Sequence, residues 1–344
     1  MKKKILIHDI ARHLNVSIAT VSLVLNGKAK EQRISDTVAE RVLAYVAEVG
    51  YKPNQLAKSL RTGKTHVIGL MVEDIANAFF AKIAALIENK ALARGYRIIY
   101  CSTHNDPARA RDLLAMFQER HVDGYALALP PGVEAEVRAL VRGGKPVVLF
   151  DRLLPDVQAE AIVVDGLTGM YEATRHLLDQ GYAHPALVTI CSVQPQLLAR
   201  RRGYAQALHE QNRPELVLEV AFDQEPERLK AEIQTFVRAQ PQCDAILFTT
   251  NYLGAAGLEA IQDLGRRIPE DLAFISFDDS DLFRLHRPSL TVVAQPMELL
   301  AESVINHLLA ALEGRGEPGR VTQTQLAPQL LVRQSSLRLV MGNG

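Results

Sequence analysis

Tryptophan is absent from the 344 residues, cysteine occurs three times, and the 39 Lys and Arg are cancelled by 39 Asp and Glu. Each shortage excludes something. Cys101, Cys191 and Cys243 are odd in number and far apart, which fits neither a disulfide framework nor a C-x-x-C metal or redox site, so buried, reduced thiols are expected. No stretch approaches the roughly 18 apolar residues of a membrane span. The first six residues are basic but lack the apolar run of a secretory signal, and the expectation is a cytoplasmic protein. No low-complexity tract or short-period repeat is visible. What is present is ordinary for a globular chain: 48% hydrophobic and 23% charged residues, over a length that predicts two or three domains.

The zero net charge hides an asymmetry. Residues 1–64 hold twelve Lys or Arg against five Asp or Glu, leaving 27 against 34 in the rest. A small basic segment beside an acidic body suits nucleic-acid binding, because neutralising phosphates releases counterions. Charge alone also suits an acidic protein partner.

Three short amphipathic helices can be read in the basic segment. Ile10, Ala11 and Leu14 share one stripe; Val21, Val24 and Leu25 a second; Val38, Val42, Tyr45 and Val49 a third. Asn15 ends the first helix, Ser17 caps the second, Asn26 and Gly27 stop it, Ser35 caps the third and Gly50 ends it. The tight connection through Asn15 and Val16 is that of a helix-turn-helix. From His66 onward, β-branched runs alternate with helical patterns. Apolar runs without period 2 suit strands covered on both faces, so two parallel, doubly wound sheets are expected, with a break near Asp165. Arg61–Thr65 contains Gly-Lys-Thr, but Lys58 stands where a phosphate-binding loop needs Gly, which removes an NTPase.

The segment Asp9-Ile-Ala-Arg-His-Leu-Asn-Val-Ser-Ile-Ala-Thr-Val-Ser-Leu-Val-Leu-Asn26, followed by Gly50-Tyr-Lys-Pro-Asn-Gln-Leu-Ala-Lys-Ser-Leu60, closely resembles the DNA-binding headpiece and hinge of the lactose-repressor (LacI) family. The resemblance continues in order through Val67-Ile-Gly-Leu70, Val122-Asp-Gly124, Arg200-Arg-Arg-Gly-Tyr204, Phe277-Asp-Asp279, Pro288-Ser-Leu-Thr291 and Gln295-Pro296. It implies an all-α helix-turn-helix headpiece on an α/β, two-lobed, periplasmic-binding-protein-like (type I) core. It further implies a homodimer on a pseudo-palindromic operator, controlled by a small effector, a sugar or sugar derivative, between the lobes. Closure of the lobes would change how the headpieces are presented to DNA. No cofactor, metal or catalytic residue is implied. The corresponding division is a headpiece at 1–53, a hinge at 54–64, a first lobe at 65–164 and 292–325, and a second lobe at 165–291 and 326–344. A tetramer is not expected, because no heptad-patterned helix follows Ser336.

With Val21, Val24 and Leu25 inward, helical spacing turns Ile18, Ala19, Ser22, Leu23 and Asn26 outward, toward a major groove. Apolar contacts read thymine methyls, so a preference involving A·T pairs is expected. Ser17, Thr20 and Ser22 would hold phosphates. The competing reading is that Ile18 and Leu23 pack on neighbouring helices. Lys28–Ile34 is equally a solvated loop or a phosphate contact. The hinge, with Asn54 as cap and Leu56 and Ala57 within it, is too short to be a stable helix alone. The resemblance implies that Leu60 wedges into the minor groove; a linker leucine is the alternative.

Matching to the family places the effector pocket on Phe79, Phe80, Asp151, Asp165, Arg200, Phe222, Asn251 and Asp278. Aromatic faces beside Arg, Asp and Asn suit a sugar or base. The alternatives are an intradomain ion pair for Arg200 and Asp278, core packing for the phenylalanines, and helix caps for Asp151 and Asp165. Two other functions remain to be weighed: a solute-binding receptor, disfavoured by the missing export signal, and a sugar-acting enzyme, disfavoured because no paired acid and nucleophile, H-E-x-x-H or G-x-S-x-G occurs.

Overall fold

The computed structural model describes residues 5–51, 63–222, 224–315 and 322–338, and the chain forms two compact units, Met1–Thr65 and His66–Gly344. The proposed hinge residues Asn54, Leu56, Ala57 and Leu60 lie outside the described residues.

In the first unit, α1 (Ile7–Leu14), α2 (Ile18–Leu25) and α3 (Asp36–Glu48) bury Ile10, Ala11, Val21, Val24 and Val42 against one another. Asn15 ends α1 in the left-handed region at φ 53°, a conformation Asn tolerates better than most residues. Arg41 Nη2 donates to the Leu14 carbonyl at 3.3 Å and Tyr45 stacks on His13 at 4.1 Å, tying α3 to the end of α1. Ser35 stands at the start of α3 without a side-chain capping bond. Position, and not the hydroxyl, carries its role there.

The second unit contains two six-stranded sheets. The first joins β1 (Val67–Val72), β2 (Arg97–Ser102), β3 (Gly124–Leu127), β4 (Val147–Phe150), β5 (Glu160–Val164) and β11 (Gln323–Leu326) in the order β2-β1-β3-β4-β5-β11. The second joins β6 (Pro185–Ile190), β7 (Leu216–Val220), β8 (Ala245–Phe248), β9 (Ala273–Phe277), β10 (Thr291–Ala294) and β12 (Gln329–Leu331) in the order β7-β6-β8-β9-β10-β12. The two orders repeat one pattern. All neighbours are parallel except β10 with β12.

Alternation along each strand feeds two cores. Ile68, Leu70 and Val72 join Phe80, Ile83 and Ile87 of α4 (Ala78–Leu92) and Leu300, Val304 and Leu308 of α11 (Met297–Leu312). Met71 joins Leu114 and Phe117 of α5 (Pro107–Glu119) and Val137 and Leu140 of α6 (Glu134–Arg142) on the opposite face. The second lobe repeats this with α7 (Gly166–Asp179) and α8 (Pro195–His209) on one face and α9 (Pro226–Ala239) and α10 (Asn251–Asp263) on the other. Helices α7 and α8 touch backbone to backbone at Gly203, where a Cβ would lie 2.1 Å from the Leu167 carbonyl oxygen. The next residue, Tyr204, is fully buried and pins α8 to both strands: its hydroxyl donates to the Pro185 carbonyl at 2.9 Å and accepts the Leu216 N–H at 2.9 Å.

Two boundaries need correcting: the second lobe resumes after Leu326, which pairs with Val164 in the first sheet, and not at it. A return to the first lobe at residue 292 would cut β10, but Val292 and Val293 pair with Ser276 and Phe277 of β9. The sheet keeps this strand because its side chains fill the second core, and the crossing comes afterwards, at Gln295 and Pro296. Among the described residues no helix is long and apolar enough to cross a membrane.

Candidate functional site

On the first unit, α2 presents an uncharged outer face. Ile18 is half exposed, Ala19 and Asn26 are exposed, and Ser22 and Leu23 are partly so. Neither Ile18 nor Leu23 joins the three-helix cluster, so packing among the described residues of this unit does not account for them. Ser17 Oγ accepts the Thr20 N–H at 3.0 Å and bonds Thr20 Oγ1 at 2.8 Å. Asn26 Nδ2 donates to the Ser22 carbonyl at 2.6 Å. Free backbone N–H groups at the start of α2 add partial positive charge, which suits phosphate.

In the second unit, a chamber of about 230 Å³ opens between the lobes at the carboxyl ends of the strands, where ligands bind in open α/β sheets. Phe79 and Phe80 follow β1, Asp151 follows β4, Arg200 lies in α8, Phe222 follows β7, Asn251 follows β8 and Asp278 follows β9; all seven line it. Asp165 does not. It stands at the start of α7, where its carboxylate accepts the Thr168 N–H at 3.0 Å and the Thr168 hydroxyl at 2.8 Å, so helix capping replaces the expected pocket role. Phe79 and Phe80 are core and chamber wall at once, packed edge to face at 4.9 Å.

The charged side chains of the lining are withdrawn from solvent. Arg200 is 5% exposed; its Nη1 donates to the Thr249 carbonyl at 2.6 Å and its guanidinium lies over the Phe277 ring at 3.6 Å, while Nε has no partner among the described residues. Gly166 packs against it, a Cβ there falling 3.0 Å from Arg200 Cγ. Asp278 sits in the left-handed region at φ 69° and accepts from Gln295 Nε2 at 2.6 Å. Burial pushes its carboxyl above the usual range, against the opposing influence of Arg200 and the Gln295 bond. Asp151 holds the matching place after β4, at φ 64°.

The sequence reading missed Arg152, Glu73, Asn77, Asn105, Gln194 and Gln295. Arg152 is buried, paired with Glu73 and, at 3.3 Å, with Asp151, and it donates to Asn105 as well. Burial alone would lower the guanidinium's proton affinity, but the Glu73 and Asp151 carboxylates outweigh it. A usable signal existed: Glu73, Arg152 and Gln295 each sit just beyond a strand's carboxyl end. Asn77 and Gln194 reach across the cleft, to Asn251 and Asn105 respectively. Cys191, expected to be buried, is exposed at the chamber's rim. Among the described residues no group of three or more His, Cys, Asp or Glu is placed to hold a metal ion.

Comparison with known proteins adds the following. Residues 6–54 match the family model for bacterial regulatory proteins of the lacI family, and residues 174–336 match a periplasmic binding protein-like domain. The chain is 30% identical to the HTH-type transcriptional regulator KdgR of Bacillus subtilis (strain 168), over 97% of this chain and all of the relative. Among solved structures it is similar to a periplasmic binding protein/LacI transcriptional regulator from Alkaliphilus metalliredigens complexed with D-xylulofuranose (25% identity, TM-score 0.71, covering 79% of this chain and 100% of that one). A lac repressor dimer bound to operator and the anti-inducer ONPF shares the fold at 20% identity and TM-score 0.85, over 98% of this chain and 100% of that one.

Proposed function

The chain belongs to the LacI family of bacterial DNA-binding transcription regulators, and we propose that it acts as a homodimeric repressor on a pseudo-palindromic operator, controlled by a sugar-like effector held between its lobes. One observation carries the reading: strand ends from both lobes converge on a chamber in which the buried Arg200, its Nε without a partner among the described residues, stands beside Asp278. Such a chamber can bind one small polar molecule and close on it. The uncharged face of α2, with Ile18, Ala19 and Leu23, reads the major groove, and Ser17, Thr20 and Ser22 hold its flanking phosphates. The relative solved with D-xylulofuranose supports a sugar as effector. Effector and operator then change each other's affinity by the same factor, in the range of about 1–3 kcal/mol.

Selection of bound duplexes from genomic fragments tests this, repeated with sugars added. A palindromic site whose occupancy shifts with one sugar is the expected result. Binding that stays at the non-specific level on every fragment would overturn it.

A further inference from the structure

We propose that the interlobe chamber selects a neutral, hydroxyl-rich ligand and rejects anions, and that Glu73 and Asp151 set this selectivity by occupying Arg152. The inference rests on the chamber being the effector site, and narrows the class of molecule it takes.

The charge inventory is the first observation. Among the described lining residues stand three carboxylates, Glu73, Asp151 and Asp278, and two guanidiniums, Arg152 and Arg200. Arg152 would be the natural clamp for a carboxylate or phosphate. Three of its five N–H donors, one on each nitrogen, are already given to Glu73, Asp151 and Asn105 inside the protein. An incoming anion would compete with two placed carboxylates and add a further negative charge beside them, which is unfavourable.

The second observation is the pattern of unused hydrogen-bonding atoms. Arg200 Nε, a donor, and Gln196 Oε1 and Gln295 Oε1, both acceptors, are buried without a partner among the described residues. All three belong to residues lining the chamber. An ionised carboxylate oxygen accepts only, and leaves both glutamine oxygens unanswered. A hydroxyl donates and accepts, so a polyol can satisfy all three.

The test uses the full-length protein and three anionic probes, D-glucuronate, D-gluconate and inorganic phosphate, against sodium chloride at equal ionic strength. Thermal stability and titration calorimetry are read for the native chain, Glu73→Gln and Asp151→Asn. The native chain should give no saturable binding to any probe, and each variant should gain affinity of tenfold or more for at least one. Either variant carries the test if the other fails to fold. Saturable binding of a probe by the native chain that Arg200→Met abolishes overturns the proposal, as does the absence of any gain in the variants. Operator binding is not read in this assay, so its outcome is independent of whether a regulated operator is found.

Discussion

Asn77 and Asn251 hold one another across the cleft: Asn251 Nδ2 donates to Asn77 Oδ1 at 3.0 Å, and Asn77 Nδ2 to Asn251 Oδ1 at 3.3 Å. Asn77 precedes α4 in the first lobe and Asn251 begins α10 in the second, so the pair spans the two. At about 1 kcal/mol net per bond, Asn251→Ala should shift the balance between open and closed cores by more than tenfold. Small-angle scattering of the ligand-free protein should then report a larger radius of gyration. Unchanged scattering would show that the pair does not hold the lobes together.

Asp278→Asn should separate stability from binding. Burial raises the carboxyl's proton affinity in the folded chain above its ordinary value of 3.8. Its favourable contribution is therefore present below about that pH and is lost as the pH rises through the raised folded value. At pH 7, well above the ordinary value at which the unfolded carboxyl ionises, the raised folded value is a cost, and the amide should raise the melting temperature. The gain should vanish near pH 3, while effector affinity falls at neutral pH. A melting temperature that drops at pH 7 would contradict this.

His176 works in the opposite sense. Its Nε2 bonds Ser336 Oγ at 2.8 Å, and Ser336 bonds Thr291 Oγ1 at 2.6 Å in the core beneath β10. Burial lowers the imidazole below its ordinary 6.5, against a smaller raising influence of Asp179. Stability from this group is thus complete above about pH 6.5 and is lost as the pH falls. Denaturant melts of His176→Gln should show about 1 kcal/mol lost at pH 7.5 and a shallower decline toward pH 5.5 than the native chain.

Gly203→Ala introduces a Cβ 2.1 Å from the Leu167 carbonyl oxygen, which neither backbone can avoid without separating α7 from α8. Urea denaturation should give a loss of about 1–3 kcal/mol, as overpacked cores do. A native-like midpoint would mean the two helices slide freely.

Ile18→Ala and Leu23→Ala remove side chains that lie outside the headpiece cluster. Stability should change by no more than about 0.5 kcal/mol, while affinity for the selected operator falls by about 1 kcal/mol or more at each position. The loss should concentrate on A·T steps. If both variants bind as the native chain does, α2 reads DNA through other groups.

Most strands legible in the sequence are inner ones; the edge strand β2 is legible too, whereas the inner β10 falls in a segment that reads as a crossover. β1, β4, β6, β8 and β9 are apolar runs buried on both faces. The edge strands β7, β11 and β12 lack that signal because only one residue of β7, one of β11 and none of β12 is buried, and the Gln-Thr-Gln of β11 has no apolar signature. Helix α6 buries only Val137 and Leu140 and was also missed. At the site, Arg200 and Asp278 were legible because motifs mark them. Arg152 was not: its meaning comes from Glu73, 79 residues away, a relation that only folding creates. Asp165 was readable as a cap from the Thr three positions on, and that local bond outweighed its place near the cleft.

The described chain passes between the lobes three times: at Asp165, at Gln295 and Pro296, and at Ala327 and Pro328 between β11 and β12. Three strings attached side by side leave two bodies little freedom to drift apart and favour rotation about a common axis. Gln295 lies on one of those strings, and its amide is bonded to Asp278 inside the chamber. A molecule that displaces or reinforces that bond acts at the pivot itself, where a small push sets the torsion of the whole core.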